Sequence, residues 1–236
     1  MKQLSIVIPF HNEEGNIETV LKSFLPFVGR YDFEVICVDD ASADRSAEFF
    51  KRFLLMSEYN FMKFITISRE AHRGYGHAIM SGVREARGEV ISWTHSDMQA
   101  DPADAFRAFD EYKKYNNPKI IIKGRRIGRN ISDVIFSFGM ASIASIVLQK
   151  LFFEINAQPK LFHRSAFSLL AGAPDDFSLD LYFLYQAKQS GYEIRNIPVK
   201  FAARTFGESK WAFSFSAKLK TILRTVRYIF KLRRTI

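Results

Sequence analysis

Cysteine is nearly absent from these 236 residues: Cys37 stands alone in the apolar run Phe33-Glu34-Val35-Ile36-Cys37-Val38. A lone thiol closes no internal disulfide and fits a reducing compartment. Glycine-rich phosphate loops are missing too, so a bound nucleotide would be gripped by side chains and a metal rather than by a backbone cradle. No long apolar stretch follows a basic start, because Pro9, His11, Asn12 and Glu13 interrupt the first run, and no secretory leader is expected. There is no long hydrophobic segment near the C-terminus either. Membrane attachment is therefore expected to be peripheral, or through an integral-membrane partner. Acids are scarce at that end. Residues 204–236 carry nine basic side chains and one acid, a net +8 of the chain's +9. Basicity thus belongs to the tail, and no nucleic-acid partner is expected for the main body.

What is present bounds the class. An apolar fraction of 47% with 24 phenylalanines excludes a disordered chain, and a mean hydropathy of −0.09 argues against a polytopic membrane protein. The length fits one large domain with an appendage, divided here as 1–211 and 212–236. Strand-like runs fall at 4–9, 33–38, 64–67, 90–94, 119–123 and 194–201. Helix-like stretches lie between the early ones, at 14–24, 43–56, 75–87 and 103–115. Continuous apolar strands alternating with helices predict an α/β fold with a mostly parallel sheet covered on both faces. Ser42 and Asp101-Pro102 mark helix starts, and Gly88 marks a stop.

The second half departs from this alternation. Residues 134–148 hold no charge and many small side chains, including Gly139, Ala141, Ser142, Ala144 and Ser145. As a helix this run would be about 22 Å long, short of the roughly 30 Å hydrocarbon core. It is either a buried helix of the domain or one lying at a membrane surface. Residues 212–232 read as an amphipathic helix, with Phe215, Leu219, Ile222, Leu223, Val226 and Phe230 on one stripe. Lys220, Arg224, Arg227 and Lys231 lie opposite. That composition suits an interfacial helix meeting anionic lipid; packing on the domain with a solvated basic face is the alternative.

Three strand-like runs end in acids and amides: Pro9-Phe10-His11-Asn12-Glu13-Glu14, Val38-Asp39-Asp40-Ala41-Ser42 and His95-Ser96-Asp97-Met98-Gln99. An open α/β sheet keeps its ligand crevice at such strand ends. Asp39 and Asp40 taken alone are as well explained by a turn and a helix cap. If the chain stays extended past Trp93, His95, Asp97 and Gln99 point the same way, a donor set for Mg2+ or Mn2+. The run Lys123-Gly124-Arg125-Arg126-Ile127-Gly128-Arg129 places four cations just before the uncharged stretch. It is either a socket for a lipid phosphate or an exposed basic loop. Asp180 is a candidate carboxylate base, or a first-turn acid of a helix capped by Ser178.

Taken in order, these motifs resemble family 2 glycosyltransferases of the GT-A fold, and among them the polyprenol-phosphate glycosyltransferases. The resemblance runs from Ile8-Pro9-Phe10-His11-Asn12-Glu13-Glu14 through Val38-Asp39-Asp40-Ala41-Ser42, Gly74-Tyr75-Gly76-His77-Ala78 and Thr94-His95-Ser96-Asp97-Met98-Gln99-Ala100-Asp101-Pro102. It ends at Arg204-Thr205-Phe206-Gly207-Glu208-Ser209-Lys210-Trp211. It implies a Rossmann-like sheet flanked by helices. It also implies that Pro9, Glu13 and Asp39 hold the nucleoside of a nucleotide sugar, with Phe10 and Asp40 beside them as candidate substrate contacts, and that Asp97, with His95 and Gln99, carries the metal on its diphosphate. His95 stands where the family commonly has the first Asp of Asp-x-Asp. Arg204 and Lys210 are implied to meet phosphates, as the planar guanidinium of an Arg can bidentately; Arg125, from the basic run read above, is the candidate contact for the acceptor.

The expected reaction is inverting transfer from a UDP- or GDP-sugar to a polyprenyl phosphate, by an enzyme peripheral on the cytoplasmic face of the membrane. A phosphate acceptor needs no base; a sugar hydroxyl would, and Asp180 would supply it. The other classes open to the sequence are a nucleotidyltransferase and a non-catalytic membrane-binding module.

Overall fold

The structure, a computed structural model, describes residues 2–67, 72–202 and 215–234, with side chains in the last segment from residue 222 onward. Four apolar runs form parallel strands: β1 (Leu4–Phe10), β2 (Phe33–Asp39), β3 (Met62–Thr66) and β4 (Val90–Trp93). With β5 (Ile120–Ile127), β6 (Lys160–His163) and β7 (Glu193–Lys200) they build one sheet in the order β3-β2-β1-β4-β6-β5-β7. Only β6 runs against the rest, between β4 and β5. Strands added on opposite sides of β1 reverse the winding there, and the crevice this leaves lies beyond the carboxyl ends of β1, β2 and β4.

Alternation along β1 sets the two layers. Leu4, Ile6, Ile8 and Phe10 face α1 (Glu14–Lys22), α2 (Ser46–Leu54) and α4 (Asp104–Lys113) through Ile17, Val20, Phe50 and Phe106. Val7, with Ile36 and Val38, faces α3 (Tyr75–Glu85) and α6 (Leu179–Gln189) through Ile79, Val83 and Phe183. The helix start expected at Ser42 lies at Ser46, without a side-chain cap. Asp101 does cap its turn, accepting from the Ala103 amide at 2.9 Å. Ser178 occupies the N-cap position of α6 but makes no capping bond there. Gly88 does more than stop a helix: a Cβ there would lie 2.5 Å from the Ser5 backbone nitrogen, so only glycine lets the chain pass over β1.

Outside α6 lies a third layer of α5 (Ile131–Leu148) and α7 (Phe215–Arg234), joined to it by Ala144, Leu148, Phe152, Leu181, Tyr185, Ile229 and Leu232. At 18 residues α5 is about 27 Å long, one turn more than its uncharged stretch implied, and it is apolar and long enough to cross a membrane. It is not a core helix. Ala141, Ala144 and Leu148 are buried, while Ile131 and Ile146 are 78% and 77% exposed, with Ile135 and Phe138 beside them. On α7 the packed face is Ile229 and Leu232; Leu223 and Phe230, from the stripe expected to be apolar, stand about half exposed beside Arg227. The side chains of Phe215, Leu219 and Lys220 fall outside the described residues.

Candidate active site

The loops after β1 and β2 are laced together reciprocally. Asn12 donates its backbone N–H to Ser42 Oγ (3.0 Å), and its side-chain Oδ1 accepts from the Ala43 backbone N–H (2.7 Å). The Glu14 amide donates to Asp44 Oδ2 (3.0 Å), and Glu14 Oε2 accepts from the Arg45 amide (2.8 Å). Asn12 and Ala41 hold positive φ, 57° and 58°, a conformation that side chains rarely adopt and that turns both loops over the strand ends. This lacing presents Pro9 and the buried Glu13 and Asp39 along one rim. Glu13 Oε2 accepts from Asn16 Nδ2 at 2.6 Å, and Asp39 Oδ1 from the Ser42 amide at 3.2 Å.

Phe10 and Asp40 take different places from those expected of substrate contacts. The Phe10 ring lies in the core, edge-on to Phe50 with centroids 4.7 Å apart, and only its carbonyl serves the rim, accepting from the Asp40 amide. The buried Asp40 carboxylate accepts from the amides of Arg73 (2.9 Å) and Gly74 (2.8 Å), and its Oδ2 lies 2.7 Å from His72 Nδ1. It therefore fastens the segment entering α3. The His72 ring lies against His11, centroids 4.1 Å apart, and His11 Nδ1 donates to the Asp40 carbonyl.

The extended geometry expected for His95, Asp97 and Gln99 does not occur. β4 ends at Trp93, and the chain turns at Met98 (φ 57°) while Asp97 Oδ1 accepts from the Gln99 amide at 3.1 Å. A side chain whose oxygen can bond the backbone two residues on favours a turn over a strand. Gln99 serves instead through its carbonyl, which accepts from the Ala202 amide. His95 and Asp97 stay together. Burial pushes the His95 pKa down against the attraction of Asp97, which keeps the imidazole neutral and able to offer a lone pair. Among the described residues no three Asp, Glu, His or Cys side chains converge on one point. One carboxylate and one neutral imidazole fit a divalent ion whose remaining ligands are water and substrate phosphates.

Beneath this turn lies a floor that the sequence reading missed. Tyr75, opening α3, stacks on Phe177 (4.6 Å, 9°) and lies 5.3 Å from the His95 ring. Gly76 makes room for the chain beside it: a Cβ there would sit 2.2 Å from the Pro174 carbonyl oxygen. Asp180 lies under Trp93, completely buried, with Lys160 Nζ 2.9 Å from its Oδ1. Trp93 Nε1 donates to the same oxygen (3.2 Å) and Gln158 Nε2 to Oδ2 (3.1 Å). A signal for Lys160 was available in the sequence, as a single charge inside the apolar run Pro159-Lys160-Leu161-Phe162.

The cations of β5 and of the turn that follows it divide. Arg126 and Arg129 both donate to Glu154, at 2.5 and 3.0 Å, and lie over the Phe201 ring. Lys123 is buried, its Nζ donating to the Gly124 and Glu154 carbonyls. Burial first, and then the neighbouring Lys160, pulls its pKa down to about 7. Arg125 is exposed. The cluster adjoins the His95 turn, since the charges of Lys160 and Arg126 both act on that ring. Arg204 and Lys210 lie outside the described residues.

Comparison with known proteins follows the same outline. Residues 5–167 match the family model described as Glycosyl transferase family 2. A dolichol-phosphate mannosyltransferase of Pyrococcus furiosus is 27% identical over 239 residues, which take in 98% of this chain and 63% of that protein. An undecaprenyl-phosphate 4-deoxy-4-formamido-L-arabinose transferase of Pseudomonas fluorescens is 30% identical over 127 residues, 52% of this chain and 36% of that one. The chain thus spans less than two thirds of the length of these relatives. Among solved structures, the glucosyl-3-phosphoglycerate synthase of Mycobacterium tuberculosis, in complex with Mn2+, UDP and glucosyl-3-phosphoglycerate, superposes with a TM-score of 0.71 at 17% identity. That match covers 100% of this chain and 81% of that one. The family match runs from β1 through β6 and the structural match over the whole chain, so this protein belongs to glycosyl transferase family 2 and has the GT-A fold.

Proposed function

We propose that this chain moves a sugar, with inversion, from a UDP- or GDP-sugar to a polyprenyl phosphate, while seated on the cytoplasmic face of a membrane. The observation that carries the acceptor is the cation cluster of β5, standing at the root of a helix whose outer face is apolar and exposed. A phosphate has its charge partners there, and an isoprenoid chain has a surface beside it. The two curated relatives named above act, by their descriptions, with dolichol phosphate and undecaprenyl phosphate. Arg227 and Arg234, next to the half-exposed Leu223 and Phe230, would meet anionic headgroups. The same face would suit an integral-membrane partner.

In this reading Pro9, Glu13 and Asp39 frame the nucleoside, and Asp97 with His95 would hold Mg2+ or Mn2+. A divalent ion there would offset the charge on the nucleoside diphosphate as it leaves. The chain's own work is to align donor and acceptor in line and to exclude water. Arg204 and Lys210 would add charge on the phosphates. A phosphate monoester, with a second pKa of about 6, arrives ionised and needs no base. A sugar-hydroxyl acceptor would require one, and Asp180, with both oxygens engaged inside the core, is not placed to serve it.

The test offers labelled UDP- and GDP-sugars with a short polyprenyl phosphate and Mn2+ or Mg2+. Label entering the organic phase with release of nucleoside diphosphate supports the reading. Pyrophosphate release would make the protein a nucleotidyltransferase, and absence of any nucleotide binding would leave a membrane-binding module.

A further inference from the structure

Asp180 and Lys160 are each completely shielded from solvent, and their pairing at 2.9 Å is the one ion pair among the described residues in which both side chains are so. Two N–H donors converge on its carboxylate, and one of them carries the link on to Tyr75. Trp93 Nε1 donates to Asp180 Oδ1, Gln158 Nε2 donates to Oδ2, and the same Gln158 amide lies 2.8 Å from the Tyr75 hydroxyl. Lys160 also donates to the Ala157 carbonyl at 3.2 Å. A general base needs hydrogen-bond reach to the proton it removes. Asp180 instead spends its oxygens on a cation and two N–H donors. What the pair holds is the floor: Trp93 is the last residue of β4, two before His95, and the Tyr75 ring lies 5.3 Å from the His95 ring. A buried ion pair contributes little net stability compared with apolar residues of the same shape, whereas removing one partner leaves an uncompensated charge.

We infer that Lys160 and Asp180 are a positioning pair: they clamp Trp93 and, through Gln158, Tyr75, so that the His95–Asp97 turn meets the donor diphosphate in a fixed geometry, and Asp180 accepts no proton in the reaction. The inference rests on the glycosyl-transfer reading for its substrate, but its test does not depend on the acceptor.

The experiment uses the full chain, Asp180→Asn, Lys160→Met and the double variant. Calorimetry with UDP and Mn2+, or GDP and Mn2+ if UDP is not bound, runs beside the transfer assay. Each single change should weaken nucleotide binding by about tenfold, the scale of coupling within one network. The double variant, which removes both charges together, should recover to within about threefold in binding and about tenfold in kcat. If Asp180 were a base, Asp180→Asn would leave nucleotide binding intact and lower kcat by about a hundredfold or more. The double variant would then stay inactive, and the inference would be overturned. Should the single variants not fold, the double variant decides alone, since near-native turnover without the carboxylate supports the pair and lost turnover with intact binding refutes it. Tyr75→Phe, which spares both charges, should weaken nucleotide binding severalfold; unchanged binding would break the link through Gln158. A wild-type chain that binds nucleotide but transfers nothing would sink the proposed function, while the binding pattern still decides the pair.

Discussion

The parallel half of the sheet and the half beyond β4 handle their charged groups in opposite ways. Around β1 and β2 the carboxylates and amides satisfy one another across neighbouring loops, as Asn12, Glu14, Asp40 and Asp44 do, so the rim that would receive a nucleotide is already built. Beyond β4, cations crowd around too few anions, and apolar surface is left uncovered on α5 and α7. Preformed hydrogen bonding suits a ligand of fixed shape. Excess charge beside exposed apolar surface suits a phosphate on a hydrocarbon chain, or the bilayer that holds it. The difference makes a separable forecast: damage to the first half should appear in nucleotide binding and folding, damage to the second in acceptor and lipid binding.

The largest effect should come from Asp97→Ala, which removes the carboxylate nearest the proposed diphosphate. Metal-dependent transfer should fall by at least about a hundredfold, and unchanged turnover would remove Asp97 from the site. Gly76→Ala comes next. Its Cβ would collide with the Pro174 carbonyl, and thermal unfolding should show a loss of about 1–3 kcal/mol together with weaker nucleotide binding; a native melting curve would mean that the 174–176 segment gives way freely.

Lys123 sharpens the comparison through pH. Its amine has an ordinary pKa of 10.5 when unfolded and about 7 when folded. Below about pH 7 both states are protonated, and the folded chain bears a buried charge. Between about 7 and 10.5 the unfolded chain binds more protons, so stability should rise with pH by up to about 1.4 kcal/mol per unit. Denaturant titrations of Lys123→Met should lose that rise; identical slopes would show the amine to be hydrated. The smallest effect belongs to α7. Replacing Arg227 and Arg234 by Gln should weaken binding to vesicles containing anionic lipid by about 1 kcal/mol each, with nucleotide binding untouched, and undiminished vesicle binding would return this face to solvent.

Much of the parallel half was legible because its strands are unbroken apolar runs and its helices keep a 3.6-residue period. What escaped depended on partners distant in sequence or on single backbone angles. β6 is four residues long and opens on a lysine, so no long apolar run announces it; its place follows from pairing with β4 and β5. The alternation assigned to His95, Asp97 and Gln99 needed an extended chain, and one left-handed residue, Met98, ended it. Asp39 and Asp40 look alike in sequence, yet Asp40 is committed to the amides of Arg73 and Gly74, more than thirty residues away. On α7 the periodicity names Leu223 and Phe230 where packing uses Ile229 and Leu232, because neighbouring stripes of one helix are distinguished only by what lies against them.

The division of labour between the two halves is tested most directly by one ratio: kcat/KM of the wild-type chain for a short polyprenyl phosphate against the polyprenol of the same length, with the same nucleotide sugar. If the β5 cations read the acceptor's phosphate, the ratio should exceed about a thousand, the range in which a site built for a polar group rejects the analogue lacking it. A ratio near one would contradict it and place the acceptor's recognition elsewhere.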